Sequence, residues 1–331
     1  MPYSICARLP GALLILLVSA CATAPQSLEL IHHPPTNLSS GVELVDVPFF
    51  PQSEYQCGPA SLATVLEHKG INIGPDRLID QVYIPEREGS LQIEMIATAR
   101  NFGLLGYKIP PELKNILLEI DHGNPVLVFQ NLALDVWPKW HYAVAIGYDL
   151  KEFELILRSG TFARHTVSFS TFEKTWQRAD YWAYVFTNVG EIPYTATPTE
   201  HIKASYELQQ VKGMDLAIKA FRSGVKKWPE DSLVLISLAN AEYTVGNWQN
   251  AIDYLQKEIS LRPDNSTAWN NIAYALSANN CKEQAILAVE CALELAPDNE
   301  NIRHSWLEIQ QTTAENTQGC MNISCPVQHG D

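Results

Sequence analysis

The sequence predicts an α+β domain followed by an all-α repeat solenoid. Three observations carry this. Between Cys57 and Ile120 the apolar residues recur at helical spacing, whereas from Val126 to Thr187 they fall into short β-branched and apolar runs. Helices first and an antiparallel sheet afterwards is the α+β arrangement. Ala217-Ile218, Ala251-Ile252 and Ala285-Ile286 then recur every 34 residues, and Pro229, Pro263 and Pro297 keep the same period.

In chain order, the first 20 residues read as a secretory signal: Arg8, an apolar run from Leu13 to Val18, then Ser19 and Ala20 before Cys21. The run is too short to span a bilayer, and no later segment is long and apolar enough to do so. Residues 21–41, rich in Pro, Ser, Thr and Asn, read as a tether. The first folded domain is expected over 42–192. Its helices are expected at Cys57–Lys69 (closed by Gly70), Asp76–Val82, Leu91–Phe102 and Pro111–Ile120. Strands are expected at Val126–Phe129, His141–Tyr148, Phe153–Leu157, His165–Phe169 and Trp182–Thr187, with a short helix near Thr171–Trp176. The repeats are expected over 198–312, as helix pairs such as Ser232–Val245 with Trp248–Leu261, closed by a capping helix at Asn301–Thr312. The first repeat is degenerate, with Ser205 in the place of Ala239 and Gly213 in that of Asn247. Residues 313–331 read as a disordered tail.

The formal charge is −14, and loss of residues 1–20, whose one charge is Arg8, makes it −15. With no Lys/Arg-rich run, nucleic acid is excluded as an expected partner. Of the seven cysteines, Cys281, Cys291, Cys320 and Cys325 lie near the C-terminus and are disulfide candidates in an exported protein. Cys281 and Cys291 are awkwardly placed to bond to each other along one helical stretch, and Cys320 with Cys325 would close a small loop. No cofactor or metal is expected, since no Cys/His set has ligand spacing.

The chemistry-bearing stretch is PQSEYQCGPASLATVL. Cys57 stands at a predicted helix N-terminus, where peptide dipoles and free N–H groups favour the thiolate. His141 follows 84 residues later at the head of HYAVAIGY, a predicted strand, where the fold can bring it beside the thiol as a base. The amide of Gln52 is placed to donate to an oxyanion. Trp137, Trp140 and Tyr142 cluster around His141, either as packing or as a substrate wall. His68, His122 and His165 read as surface or packing residues.

VPFFPQSEYQCGPASLATVL with HYAVAIGYD resembles the bacteriocin-processing cysteine peptidases of the papain-like clan, over about residues 45–186. That resemblance implies a papain-like fold and thiol peptidase activity, with Cys57 as nucleophile, His141 as general base, and Gln52 with the Cys57 N–H as oxyanion hole. The family's Asp-Pro after the next strand is missing. LILRSG stands there, so Ser159 is the candidate third member and Asp149 a poorer one. The 34-residue repeat resembles the tetratricopeptide family, and VSAC resembles a bacterial lipobox. The latter implies lipidation at Cys21 and, with Ala22 following, the outer membrane facing the periplasm. Together these give a lipid-anchored periplasmic cysteine peptidase acting on a peptide or protein substrate, with repeats that recruit substrate or a protein partner. The alternative is a weak or inactive peptidase-fold binding module serving as an envelope scaffold.

Overall fold

The computed structural model describes residues 23–52, 56–312 and 319–326. The signal segment and Cys21 lie outside them. In chain order the first domain contains α1 (Pro25–His32), β1 (Gly41–Glu43), α2 (Cys57–His68), α3 (Ile79–Val82), β2 (Tyr83–Ile84), β3 (Gly89–Ser90), α4 (Gln92–Asn101), β4 (Leu105–Lys108) and α5 (Leu113–Asp121). It continues with β5 (Val126–Asn131), β6 (Trp140–Asp149), β7 (Glu154–Ser159), β8 (Phe162–Ser168), α6 (Phe169–Gln177) and β9 (Ala183–Thr187). The repeats are α7 (Pro198–Lys212), α8 (Met214–Lys227), α9 (Ser232–Thr244), α10 (Trp248–Leu261), α11 (Ser266–Ala278) and α12 (Lys282–Leu295), closed by α13 (Glu300–Gln311).

The antiparallel sheet runs β4-β9-β5-β6-β7-β8, and β1 pairs with the far end of β6. Alternation along its central strands feeds two cores. Leu127, Phe129, Tyr142, Val144 and Ile146 pack toward α2 and α4, while Val126, Val128, Ala143 and Ala145 pack toward α5, α6 and Leu30 of α1. Cover on both faces is why these strands read as continuous apolar runs rather than as alternating ones.

Several expectations are corrected. For the described residues 23–41, the tether reading gives way to α1 and the start of β1. No side chain of its own caps α1. Instead Glu173, from α6, accepts from the Gln26 N–H at 3.0 Å, the Ser27 N–H at 2.7 Å and the Ser27 hydroxyl at 2.6 Å. The helix expected at Asp76–Val82 splits into a 3-10 turn at Pro75–Arg77 and the single turn of α3. β4 occupies a stretch that carried no strand signal. β8 begins at Phe162 rather than His165, and α6 starts at Phe169 because Ser168 Oγ accepts from the Thr171 N–H at 3.3 Å.

The tail is also corrected for its described residues. Cys281 is bonded to Cys320 and Cys291 to Cys325, and Met321 and Ile323 pack on the core of the last repeats. No small loop joins Cys320 to Cys325.

The two domains meet where α7 packs on β4, around Leu105, Tyr107, Ala204 and Leu208. Tyr107 Oη lies 2.8 Å from His201 Nδ1, whose Nε2–H donates to the Ala220 carbonyl at 2.8 Å. Arg100 pairs with Glu207 across the same junction. The connecting segment is pinned by Glu119, which accepts from the N–H groups of Tyr194 and Thr195 at 3.3 and 2.6 Å.

Candidate active site

Cys57 is the first residue of α2, and no side chain caps this helix. The free N–H groups of Cys57 and Gly58 therefore point at the thiol, and the Tyr142 backbone N–H joins them. Tyr142 is the residue after His141, so these contacts bring the start of β6 to the head of α2. Gly58 is required by a close approach: a Cβ there would stand 2.2 Å from Ser90 Oγ and 2.6 Å from Ser90 Cβ. Tyr142 Oη reinforces that contact by donating to the Ser90 carbonyl at 3.1 Å.

His141 Nε2 lies 2.8 Å from Ser159 Oγ. β6 and β7 are neighbours, and an irregularity in the β7–β8 register between Leu157 and Ser159 sets the local aim of this strand end. The RSG tripeptide is integrated throughout. Arg158 donates to the carbonyls of Val45, Val47 and Ala163. Ser159 meets His141. Gly160, at φ +59°, presents its carbonyl to the Gln52 N–H at 3.1 Å. Gln52 is thus fixed by its backbone, and its Nε2 reaches the buried Ser61 Oγ at 3.5 Å. Ser61 is one helical turn after Cys57, a position that could have been read from the CGPAS block and was not.

A cavity of about 1050 Å³ is lined by Gln52, Cys57, His141 and Tyr142, with Trp137 and Trp140 on its wall. The wall is an aromatic stack: Phe129 lies 5.2 Å from Trp140 and 4.5 Å from Tyr142, between ring centroids. Asp149 is excluded as a partner of His141. It sits at the opposite end of β6, about 27 Å away at ~3.4 Å per residue, and accepts from the Lys151 and Glu152 N–H groups in a turn. Among the described residues no His, Cys, Asp and Glu cluster suits a metal ion.

The electrostatics depart from the thiolate–imidazolium pair expected of a Cys at a helix N-terminus. Burial pushes the Cys57 thiol up, against the three N–H donors that pull it down. Burial, with Lys139 and His165 nearby, holds the His141 imidazole down at about 4. His165 therefore acts on the site, which the sequence did not suggest. Burial thus leaves both groups neutral around pH 7, and the Ser159 hydroxyl facing the imidazole brings no negative charge to offset it.

Residues 44–184 match the sequence profile of the Peptidase C39-like family, and residues 206–266 and 236–300 match tetratricopeptide repeat. Among solved structures, the chain is similar to one assigned as a C39-like peptidase from Bacillus anthracis, at 18% identity over 45% of this chain and 98% of that one, TM-score 0.39. It is also similar to the first tetratricopeptide domain of Spaghetti bound to an HSP90 peptide, at 19% identity over 34% of this chain and 90% of that one, TM-score 0.32. A Thermobaculum terrenum O-GlcNAc transferase mutant is similar at 24% identity over 35% of this chain and 23% of that one, TM-score 0.31. Comparison with curated proteins gives no match. The chain carries a peptidase C39-like domain followed by tetratricopeptide repeats.

Proposed function

We propose that the first domain hydrolyses peptide bonds by a Cys–His mechanism, in a chain lipid-anchored at Cys21 and facing the periplasm from the outer membrane, whose repeats recruit substrate or a partner protein. The observation that carries the reading is the joint placement of Cys57 at an uncapped helix N-terminus and of His141, hydrogen-bonded to Ser159, in one cavity. With Nε2–H donating to Ser159, His141 Nδ1 carries the lone pair. As Cys57 sulfur bonds to the substrate carbonyl carbon, its proton passes to His141. The oxyanion is held by the Gln52 amide and the Cys57 N–H. Collapse breaks the C–N bond, and the imidazolium gives its proton to the departing amine. Water, deprotonated by His141, then cleaves the thioester. The two disulfides of the last repeats support an oxidising compartment.

The raised thiol and lowered imidazole favour the second reading, a weak or silent site that holds peptide without cutting it. The deciding test is mass spectrometry of new peptide termini, after incubating a casein digest with the mature chain and its variants. Cleavage is expected from the native chain, with Cys57→Ala and His141→Ala lower by at least ~10³-fold. No new termini from the native chain, and no labelling of Cys57 by a peptidyl acyloxymethyl ketone, would leave the binding module.

A further inference from the structure

We infer that the loop joining β5 to β6, residues 132–139, together with Trp140 at the head of β6, docks on a lipid bilayer surface, so that the Cys57 cavity opens beside the membrane. This rests on the lipid-anchored reading of Cys21.

The loop and the head of β6 expose Leu132, Leu134, Val136, Trp137 and Trp140, at 44, 66, 88, 83 and 51% of their surface. Five large apolar side chains exposed within nine residues are more than the singly scattered ones usual on a soluble monomer. Substrate in the cavity does not account for it. Trp137 and Trp140 line the cavity, but Leu132, Leu134 and Val136 do not, so an occupant of the cavity leaves them uncovered. The composition suits an interface: two indoles, aliphatic side chains, Lys139 with an apolar stem, and one carboxylate, Asp135, which balances that charge.

The chain's own geometry brings the bilayer to this end of the molecule. β4 is antiparallel to β9 and β9 to β5, so β4 and β5 end at the same edge of the sheet. The loop leaves from that edge. So do the residues after β4, and these hold the entry to α1: Gln26 Nε2 donates to the Pro111 carbonyl at 3.0 Å, and Gln26 Oε1 accepts from the Leu113 N–H at 2.5 Å. Ala24 is already buried. From Cys21 to Ala24 the chain spans at most ~10 Å, so an acyl anchor at Cys21 holds this edge, not a remote one, against the lipid. Phe162, the first residue of β8 after the β7–β8 turn at the same edge, is 62% exposed. The opposite edge carries the polar turn of Asp149, Lys151 and Glu152.

The test uses the full chain in vesicles of phosphatidylethanolamine and phosphatidylglycerol containing nitroxide-labelled lipid. Bimane is attached at Val136→Cys or, as control, at Lys151→Cys, each in a Cys57→Ala background. Both sites are exposed, so the label displaces no packing. The Val136 label is expected to shift to the blue and to be quenched several-fold more than the Lys151 label. The mass of the N-terminal peptide of the same preparation reads acylation separately. An acylated chain with both labels equally unquenched overturns the membrane-docked loop, leaves the anchor standing, and points to a protein partner. An unacylated chain with a quenched Val136 label sustains the loop and removes the anchor. An unacylated, unquenched chain removes both.

Discussion

Burial of Cys57 and His141 leaves the site at rest without charge, and Ser159 stands where a carboxylate could have held a protonated imidazole. His141 stays neutral, and able to accept a proton, down to about pH 4. The acid limb of Cys57-dependent hydrolysis is therefore expected near pH 4 rather than at the ordinary histidine value of 6.5. The same shift has a stability sign. Between those two values the unfolded chain binds a proton that the folded chain refuses, so His141 makes the fold lose stability as pH falls through that window. Ser159→Asp should raise the His141 value, move the acid limb upward and increase alkylation of Cys57 by iodoacetamide at low pH. Ser159→Ala should cost about tenfold in rate, the worth of one neutral hydrogen bond. A pH–alkylation profile that Ser159→Asp leaves unmoved would show that the Ser159 contact does not set the imidazole. The residues of this site were legible because Gln52, Cys57 and His141 sit in contiguous, patterned stretches. Their charge state was not, because burial and the placement of Lys139 and His165 are products of the fold.

At the scale of elements, the readable pieces were those whose stabilisation is local. α2 carries its own apolar spacing and is closed by Gly70, two residues past its end. The repeat helices carry period, turn and caps together, as at Asn265, whose side chain accepts from the Ala268 N–H at 3.2 Å. α1 reads as tether because its cap lies 146 residues away in Glu173, and PQSLELIH alone is short, half polar and opened by Pro. β4 was missed because LGYK is four residues with a Gly, made a strand only by pairing with β9. The dependence of α1 on one distant carboxylate gives a sharp expectation. Glu173→Ala removes the acceptor for two N–H groups and a hydroxyl and should cost about 1–3 kcal/mol locally. Amide exchange over residues 25–32 should rise, while exchange in β5 and β6 stays unchanged. If both rise together, α1 is not a separately docked element.

For the molecule as a whole, the packed junction of α7 on β4 sets the repeats at a fixed offset from the Cys57 cavity. Tyr107, His201, Arg100 and Glu207 make that junction specific. At the other end the disulfides close segments of 39 and 34 residues. The loop-entropy model assigns the larger about 4 kcal/mol of stabilisation. Reduction is expected to expose residues 319–326 to protease and to lower the melting temperature of the repeats, with little effect on the first domain. Joint melting of both domains after reduction would show that the junction couples them more strongly than their separate cores suggest.

The two crosslinks also have a metric. Cys281 and Cys291 are ten residues apart along α12, a rise of about 15 Å, while Cys320 and Cys325 are five residues apart, about 17 Å when extended. The lengths match, so the tail lies along α12 like a splint cut to size. One residue inserted between Cys320 and Cys325 leaves slack, and one deleted leaves the strap short. Oxidative folding thereby gauges the length of the last repeat helix, and a chain in the wrong register cannot close both bonds.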